Sequence, residues 1–253
     1  RAPLLRSIAN RSCKKADLIM RSVERSAFWT GVVDVLPFIV MVVPFATLFG
    51  VVAIEAGLSL AQTLSFSVLV IAGASQFAAL QLMLDNAAIG FILAAALAVN
   101  LRMAMYSAAL APHLGGAPLL QRAFIGYLNF DHSYVLAVAK YEDQPDMPLP
   151  SRVAYFSGVS LTIAPLWCLF TYIGAEIGAW IPSNWEVSFV VPLAFLSTVA
   201  PLLKSLAHIA TAFVSVVLAL ALASLPSGSG LLIAAFCAMV TGVIVETLLE
   251  RSA

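Results

Sequence analysis

From Val32 to Ile54 the chain carries a single charged residue, Asp34, among valines, leucines, isoleucines and phenylalanines. A helix needs about 20 apolar residues to cross roughly 30 Å of hydrocarbon, and this run supplies them. Similar runs recur near 62–83, 87–111, 153–175, 187–203, 205–225 and 229–249. Inside a bilayer every backbone N–H and C=O must bond within the protein, which leaves only helices or closed barrels. The runs are continuous rather than alternating, as barrel strands would be. The expected fold class is therefore all-α, a polytopic membrane helical bundle of seven or eight transmembrane helices, some broken by Pro or Gly. Composition agrees: 62% of the residues are apolar and 10% charged, where a soluble domain carries about 25% charged. A soluble globule, a disulfide-rich secreted fold, a disordered tail and a nucleic-acid binder are excluded.

The formal net charge is zero, but it is unevenly spread. Residues 1–25 hold Arg1, Arg6, Arg11, Lys14, Lys15, Arg21 and Arg25 against Asp17 and Glu24. A basic stretch just before the first apolar span places the N-terminus in the cytoplasm. No apolar run precedes Trp29, so the tail does not read as a cleaved signal peptide. Two regions follow: a basic cytoplasmic tail, 1–28, and a transmembrane transport domain, 29–253. Cys13, Cys168 and Cys237 are too far apart to suggest a metal or redox pair.

Segment 119–140 is apolar but holds Arg122, Asn129, Asp131 and His132. It fits a polar-lined span, a re-entrant piece or an interfacial helix. Lys140 and Arg152 beside the next loop favour a span, and with it eight helices.

Proline inside a helix removes a backbone hydrogen bond, and broken helices at matching places in two halves point to a transporter binding site. Pro37 and Pro44 in the first span, and Pro192 and Pro201 near the sixth, are the candidate breaks. Polar groups inside apolar runs are costly and mark function. Gly73-Ala74-Ser75-Gln76 offers small residues for close backbone approach and two hydrogen-bonding side chains; it reads either as a helix contact or as a substrate-coordinating stretch. Asn100, Arg102 and Tyr106 lie inside the third run. The Arg102 guanidinium suits a carboxylate, and Tyr106 at i+4 shares its face; the alternative is an arginine snorkelling to the interface. Asp131 and His132 pair a carboxylate with an imidazole and suit proton movement, or else a solvated turn. Asp34 reads as a capping acid at the start of span one, and Lys204 as a cytoplasmic turn anchor.

Other chemistries are missing from the sequence. There is no Walker loop, dinucleotide fingerprint or His/Glu zinc motif, so neither a metal nor a cofactor is expected. No nucleophile and base share a recognisable context, and no catalytic residue is assigned.

The runs VLPFIVMVVPFATLFGVVAIEAGLS, AGASQFAALQLM and AVNLRMAMYSAALAP together resemble the AzlC-type (YgaZ-like) large subunit of branched-chain amino acid exporters. Gly73, Ala74, Ser75, Gln76, Asn100, Arg102, Tyr106 and Ser107 match the family's second- and third-span motifs. PLAFLSTVAPLL resembles its proline-containing C-terminal region, and Asp131 matches an acid that the family tends to carry. The resemblance covers about 28–249. It implies a secondary-active exporter of valine, leucine, isoleucine and sometimes methionine in a bacterial inner membrane. It also implies a small AzlD-type membrane partner. The resemblance makes Gly73, Ala74, Ser75, Gln76, Asn100, Arg102 and Tyr106 substrate-binding candidates, with Asp131 and His132 coupling protons. The competing expectation is an accessory or scaffold subunit, or an exporter of another small polar solute.

Overall fold

The computed structural model describes residues 2–180, 203–223 and 229–252. Among these residues the secondary structure is helical throughout: α1 Ala2–Glu55, α2 Leu60–Leu69, α3 Gly73–Leu84, α4 Ile89–Leu114, α5 Leu119–Tyr127, α6 Asp131–Asp143, α7 Leu149–Gly178, α8 Leu206–Ala221 and α9 Ser229–Ser252. Ser22–Glu55 of α1, α4 and α7 are each long and apolar enough to cross a membrane. The all-helical membrane bundle is thus present. Most of the 187–203 run, with Pro192 and Pro201, lies outside the described residues.

Two compact units form, Arg1–Ala46 with Leu101–Phe170 (unit 1) and Thr47–Asn100 with Thr171–Ala253 (unit 2). In both units α1 and α7 approach at backbone distance. In unit 1, a Cβ on Gly158 would strike the Phe28 carbonyl. In unit 2, a Cβ on Gly174 would strike the Thr47 carbonyl, and one on Gly178 would lie 3.0 Å from the Val51 Cα. The partners 47 with 174 and 51 with 178 ascend together, so the two helices run parallel.

The chain turns where local chemistry stops each helix. Gly57 takes φ +87, and the Leu58 N–H donates to the Ala53 carbonyl at 3.0 Å, which closes α1 with a glycine cap. Ser59 then caps α2: the Gln62 N–H donates to Ser59 Oγ at 3.3 Å and the Ser59 N–H to Gln62 Oε1 at 2.8 Å, a reciprocal capping box. After α3, Asn86 adopts φ 54, and the Ala87 N–H reaches back to the Leu82 carbonyl at 2.9 Å.

The run 62–83, expected to cross as a single helix, and segment 119–140, for which the sequence favours a span over a re-entrant piece or an interfacial helix, are both helix pairs that fold back. In unit 1, α4 ends beside the start of α5. The tip of the pair then lies level with the middle of α4: Asn129 Nδ2 donates to Ser107 Oγ at 3.1 Å. The far end of α6 returns to the end of α4, where Tyr141 lies 5.5 Å from His113 ring to ring. The pair enters and leaves on one side, so the re-entrant reading of 119–140 holds and the span that would have made eight does not. Ser160 on α7 bonds the Leu128 carbonyl at 3.4 Å, and Arg152, near the start of α7, reaches His113. Level 107 therefore matches 160 and level 113 matches 152, so α4 runs antiparallel to α7. In unit 2, Phe49 packs edge-on against Phe66 of α2 at 5.9 Å and Phe77 of α3 at 5.5 Å. That α1 position lies above the helix end, so α2 and α3 also dip in and return.

Pro37 and Pro44 do not break α1, nor Pro112 α4, nor Pro165 α7. A membrane helix keeps its path through proline because neighbouring groups and local adjustments satisfy the freed carbonyls. The breaks fall instead at 70–72 and 128–130, where no proline stands.

Candidate functional site

The two breaks share one construction. At each, an N–H donates two residues back, Ala72 to the Val70 carbonyl at 2.8 Å and Phe130 to the Leu128 carbonyl at 3.2 Å. At each, a serine in the first turn of the following helix bonds back across the break. Ser75 Oγ donates to the Ala72 carbonyl at 3.0 Å, and Ser133 Oγ to the Phe130 carbonyl at 2.8 Å. Gly73-Ala74-Ser75-Gln76 therefore occupies the same place in one pair as Asp131-His132-Ser133-Tyr134 in the other.

In unit 1 the second of these turns carries charge. Arg102 Nη1 lies 3.1 Å from Asp131 Oδ2, with side chains 31% and 42% exposed. The Tyr106 hydroxyl donates to Asp131 Oδ1 at 2.9 Å. Its ring stacks on Tyr134, 4.1 Å between centroids and 9° between planes. The i, i+4 spacing of Arg102 and Tyr106 puts both on one face of α4, and the α6 N-terminus brings Asp131 to that face, where the helix dipole favours an acid. Beside this pair, Asn129 Oδ1 and Arg102 Nε are buried without a hydrogen-bond partner. The Arg102 guanidinium is thus held by Asp131. His132, next to Asp131 in the chain, packs edge-on against Phe38 of α1, 5.2 Å between rings.

In unit 2 the first turn of α3 is uncharged, and its two polar side chains, Ser75 and Gln76, are fully buried. Gln76 Nε2 donates to Ser67 Oγ at 3.2 Å, and Ser67 Oγ donates to Thr171 Oγ1 at 3.1 Å. Gln76, Ser67, Thr171 and Ser75 are each 0% exposed. Gln76 Oε1 has no partner, and neither does the buried Asn100 Oδ1. The structure thus brings Arg102, Tyr106 and Asp131 together in unit 1 and gathers Ser75 and Gln76 in unit 2.

Several polar residues escaped the sequence reading. Ser67 and Thr171 sit alone in apolar helices and carry no motif. Asp34 is not a helix cap, because α1 begins at Ala2; its carboxylate accepts from the Tyr155 hydroxyl at 2.8 Å, an inter-helix bond. Ser205, beside Lys204, caps α8 by accepting the His208 N–H at 3.2 Å. Arg152 binds the Pro145 carbonyl at 2.6 Å and covers the Tyr141 ring at 5.5 Å.

An open cleft of about 600 Å³ in unit 1 is lined by Ser26, Thr30, Lys140, Asp143, Asp146 and Tyr155, among others. No group of three or more metal-ligating side chains occurs among the described residues.

A family model described as AzlC protein matches residues 37–181, more than half of the chain. No curated protein and no solved structure matches it.

Proposed function

The chain belongs to the AzlC family, a membrane transport family, and from that premise we propose that it is the large subunit of a secondary-active exporter of valine, leucine, isoleucine and methionine. The observation that carries the proposal is the ion pair of Arg102 and Asp131, held with Tyr106 at the start of a half-depth helix. Charges at such places are retained for function, and helix breaks in matching hairpins are where transporters bind solutes. An amino acid is a zwitterion with an apolar side chain. Arg102 suits its carboxylate and Asp131 its ammonium group, and its side chain needs an apolar pocket, for which this apolar sequence supplies residues. The buried Gln76, Ser67 and Thr171 string is a second candidate contact in unit 2.

Seven of the thirteen basic residues fall in 1–25, just before the first apolar span. The positive-inside rule then supports a cytoplasmic N-terminus in a bacterial inner membrane. Without a Walker loop in the sequence, the driving force is the proton gradient or the membrane potential. A small AzlD-type subunit is the proposed partner.

The test is efflux from cells loaded with valine. Losing a charged hydrogen bond to the substrate costs about 1.5–3 kcal/mol, so Arg102→Ala is expected to cut export about tenfold to a hundredfold at wild-type abundance. Wild-type efflux from that variant would remove Arg102 as the carboxylate anchor. Liposomes holding the purified chain, with and without the small subunit, separate transport from a scaffold role: a scaffold moves no amino acid in either.

A further inference from the structure

In unit 2, α2 hides hydroxyls and shows apolar side chains. Its buried residues are Thr63 and Ser67, each 0% exposed, while Val68 and Leu69 are 48% and 75% exposed. Ser59, Thr63 and Ser67 recur every four residues, so they form one stripe along the helix, with steps of about 6 Å along its axis. The stripe starts at the turn after Gly57 and ends at the break before α3. One re-entrant pair has Gly73 where the other has Asp131, so a carboxylate is not needed to build such a pair, and the break of unit 2 is held without charge.

At the end of the stripe, Gln76 Nε2 donates to Ser67 Oγ, and Ser67 Oγ donates to Thr171 Oγ1. Ser67 has one hydroxyl proton and gives it to Thr171, so Gln76 turns its Nε2 towards Ser67 and keeps its Oε1 outside the string. That oxygen is buried and meets no donor, which is costly for an acceptor out of water. Side chains in the first turn of a helix lean towards its N-terminus, and this amide bonds to the last turn of α2. The bare Oε1 therefore lies at the break. The last carbonyls of α2 end there too, without N–H partners in their own helix and at the negative end of its dipole.

Uncharged oxygens can replace the hydration shell of a monovalent ion, whereas calcium and magnesium take carboxylates. The packing excludes a larger solute. Phe66, next to Ser67, and Phe77, next to Gln76, both pack edge-on against Phe49, and Phe49 and Phe77 are buried. An amino acid finds no pocket for its side chain among these rings, while a bare ion needs only the space of a water molecule. We infer that Gln76 Oε1, with the hydroxyls of Ser67 and Thr171 and the end of α2, binds one monovalent alkali cation, sodium or potassium. This site does not depend on what the chain exports.

The test is thermal unfolding of the purified chain in detergent at constant ionic strength, with choline chloride replaced stepwise by sodium chloride or potassium chloride. At least one of the two alkali cations should raise the melting temperature above its value in choline. The rise should grow by an equal step for each tenfold increase in concentration once the site fills. Gln76→Leu and Thr171→Val each remove an oxygen and should need about tenfold more cation, or more, for the same rise. Thr63→Val removes a buried hydroxyl one turn away from the site and should keep the wild-type response. Equal melting in choline, sodium and potassium means that water alone meets Gln76 Oε1, and overturns the site. A rise unchanged in both Gln76→Leu and Thr171→Val places the cation elsewhere and overturns it as well. A loss in Thr63→Val as large as in Thr171→Val does the same, because the rise would then report the packing of α2. The wild-type comparison and the near-isosteric Thr171→Val decide the matter even if Gln76→Leu does not fold. Amino acid transport enters none of these measurements, so failure here leaves the export reading standing, and failure of that reading leaves this site standing.

Discussion

Ser133 and Ser75 stand at the same turn of the two re-entrant pairs but carry different loads. Ser133 Oγ accepts the buried Phe130 N–H at 2.9 Å besides serving the Leu128 and Phe130 carbonyls. Ser75 Oγ serves only the Ala72 carbonyl, which already accepts the Gln76 N–H at 3.0 Å. Ser133→Ala removes the shorter of the two acceptors of the Phe130 N–H, leaving only the Leu128 carbonyl at 3.2 Å, together with the hydroxyl's own bond, and is expected to cost about 1–3 kcal/mol; Ser75→Ala loses one modest bond and costs about 0.5–1.5 kcal/mol. Melting temperatures of the two purified variants in detergent should fall in that order, and equal losses would show that the shared turn does not depend on the Phe130 N–H. At this scale the sequence was informative wherever charge met an apolar run: Arg102, Tyr106 and Asp131 stood out there, and they meet in space. Ser67 and Thr171 did not stand out, because a lone hydroxyl in a membrane helix usually satisfies itself on its own backbone, as Thr162 does on the Gly158 carbonyl. Their value comes from a partner 104 positions away, and no local pattern encodes that separation.

At the scale of elements, the parallel contact between α1 and α7 depends on glycine. With no room for a Cβ against the Thr47 carbonyl, Gly174→Ala forces the helices apart, at an expected cost of about 1–3 kcal/mol or more. A Cβ added at Gly126 in α5 would meet nothing within 4 Å, so Gly126→Ala should be neutral or gain up to about 1 kcal/mol from helix propensity. Thermal unfolding of both variants checks the contrast, and a harmless Gly174→Ala would mean that the helices are not held at backbone distance. The element pattern also explains what the sequence concealed. Apolar length alone cannot separate one crossing helix from two half-depth helices, because both bury the same kind of side chain. Proline misdirected the search for breaks, since α1, α4 and α7 run through theirs. The helpful signal is the correspondence of Phe66, Ser75, Ala79 and Asp85 with Phe124, Ser133, Ala137 and Asp143, each 58 positions apart, but four identities are too few to declare a repeat before the fold is known.

For the whole molecule, the fold-back of each pair fixes which loops share a side of the membrane. α2 and α3 begin and end together, so the turns at Gly57 and Asn86 face the same compartment. α5 and α6 do likewise, so Gly116 and Gln144 face one compartment, and the cleft that joins Val23, Ser26 and Thr30 to Asp143, Gln144 and Pro145 puts the start of the α1 span at that same end. If each pair crossed as a single span, the members of each loop pair would face opposite sides. The experiment places single cysteines at these four positions in a chain from which Cys13, Cys168 and Cys237 have been replaced, and treats intact cells with a membrane-impermeant maleimide. Asn86→Cys should label whenever Gly57→Cys does. Gly116→Cys and Gln144→Cys should behave alike, and the basic tail predicts that both are shielded until the cells are permeabilised. Gly57 and Asn86 labelling from different sides would restore α2 and α3 to a single crossing. It would also dissolve the correspondence between Gly73 and Asp131 on which the special standing of the charged pair rests, so the topology and the site stand or fall on one labelling pattern.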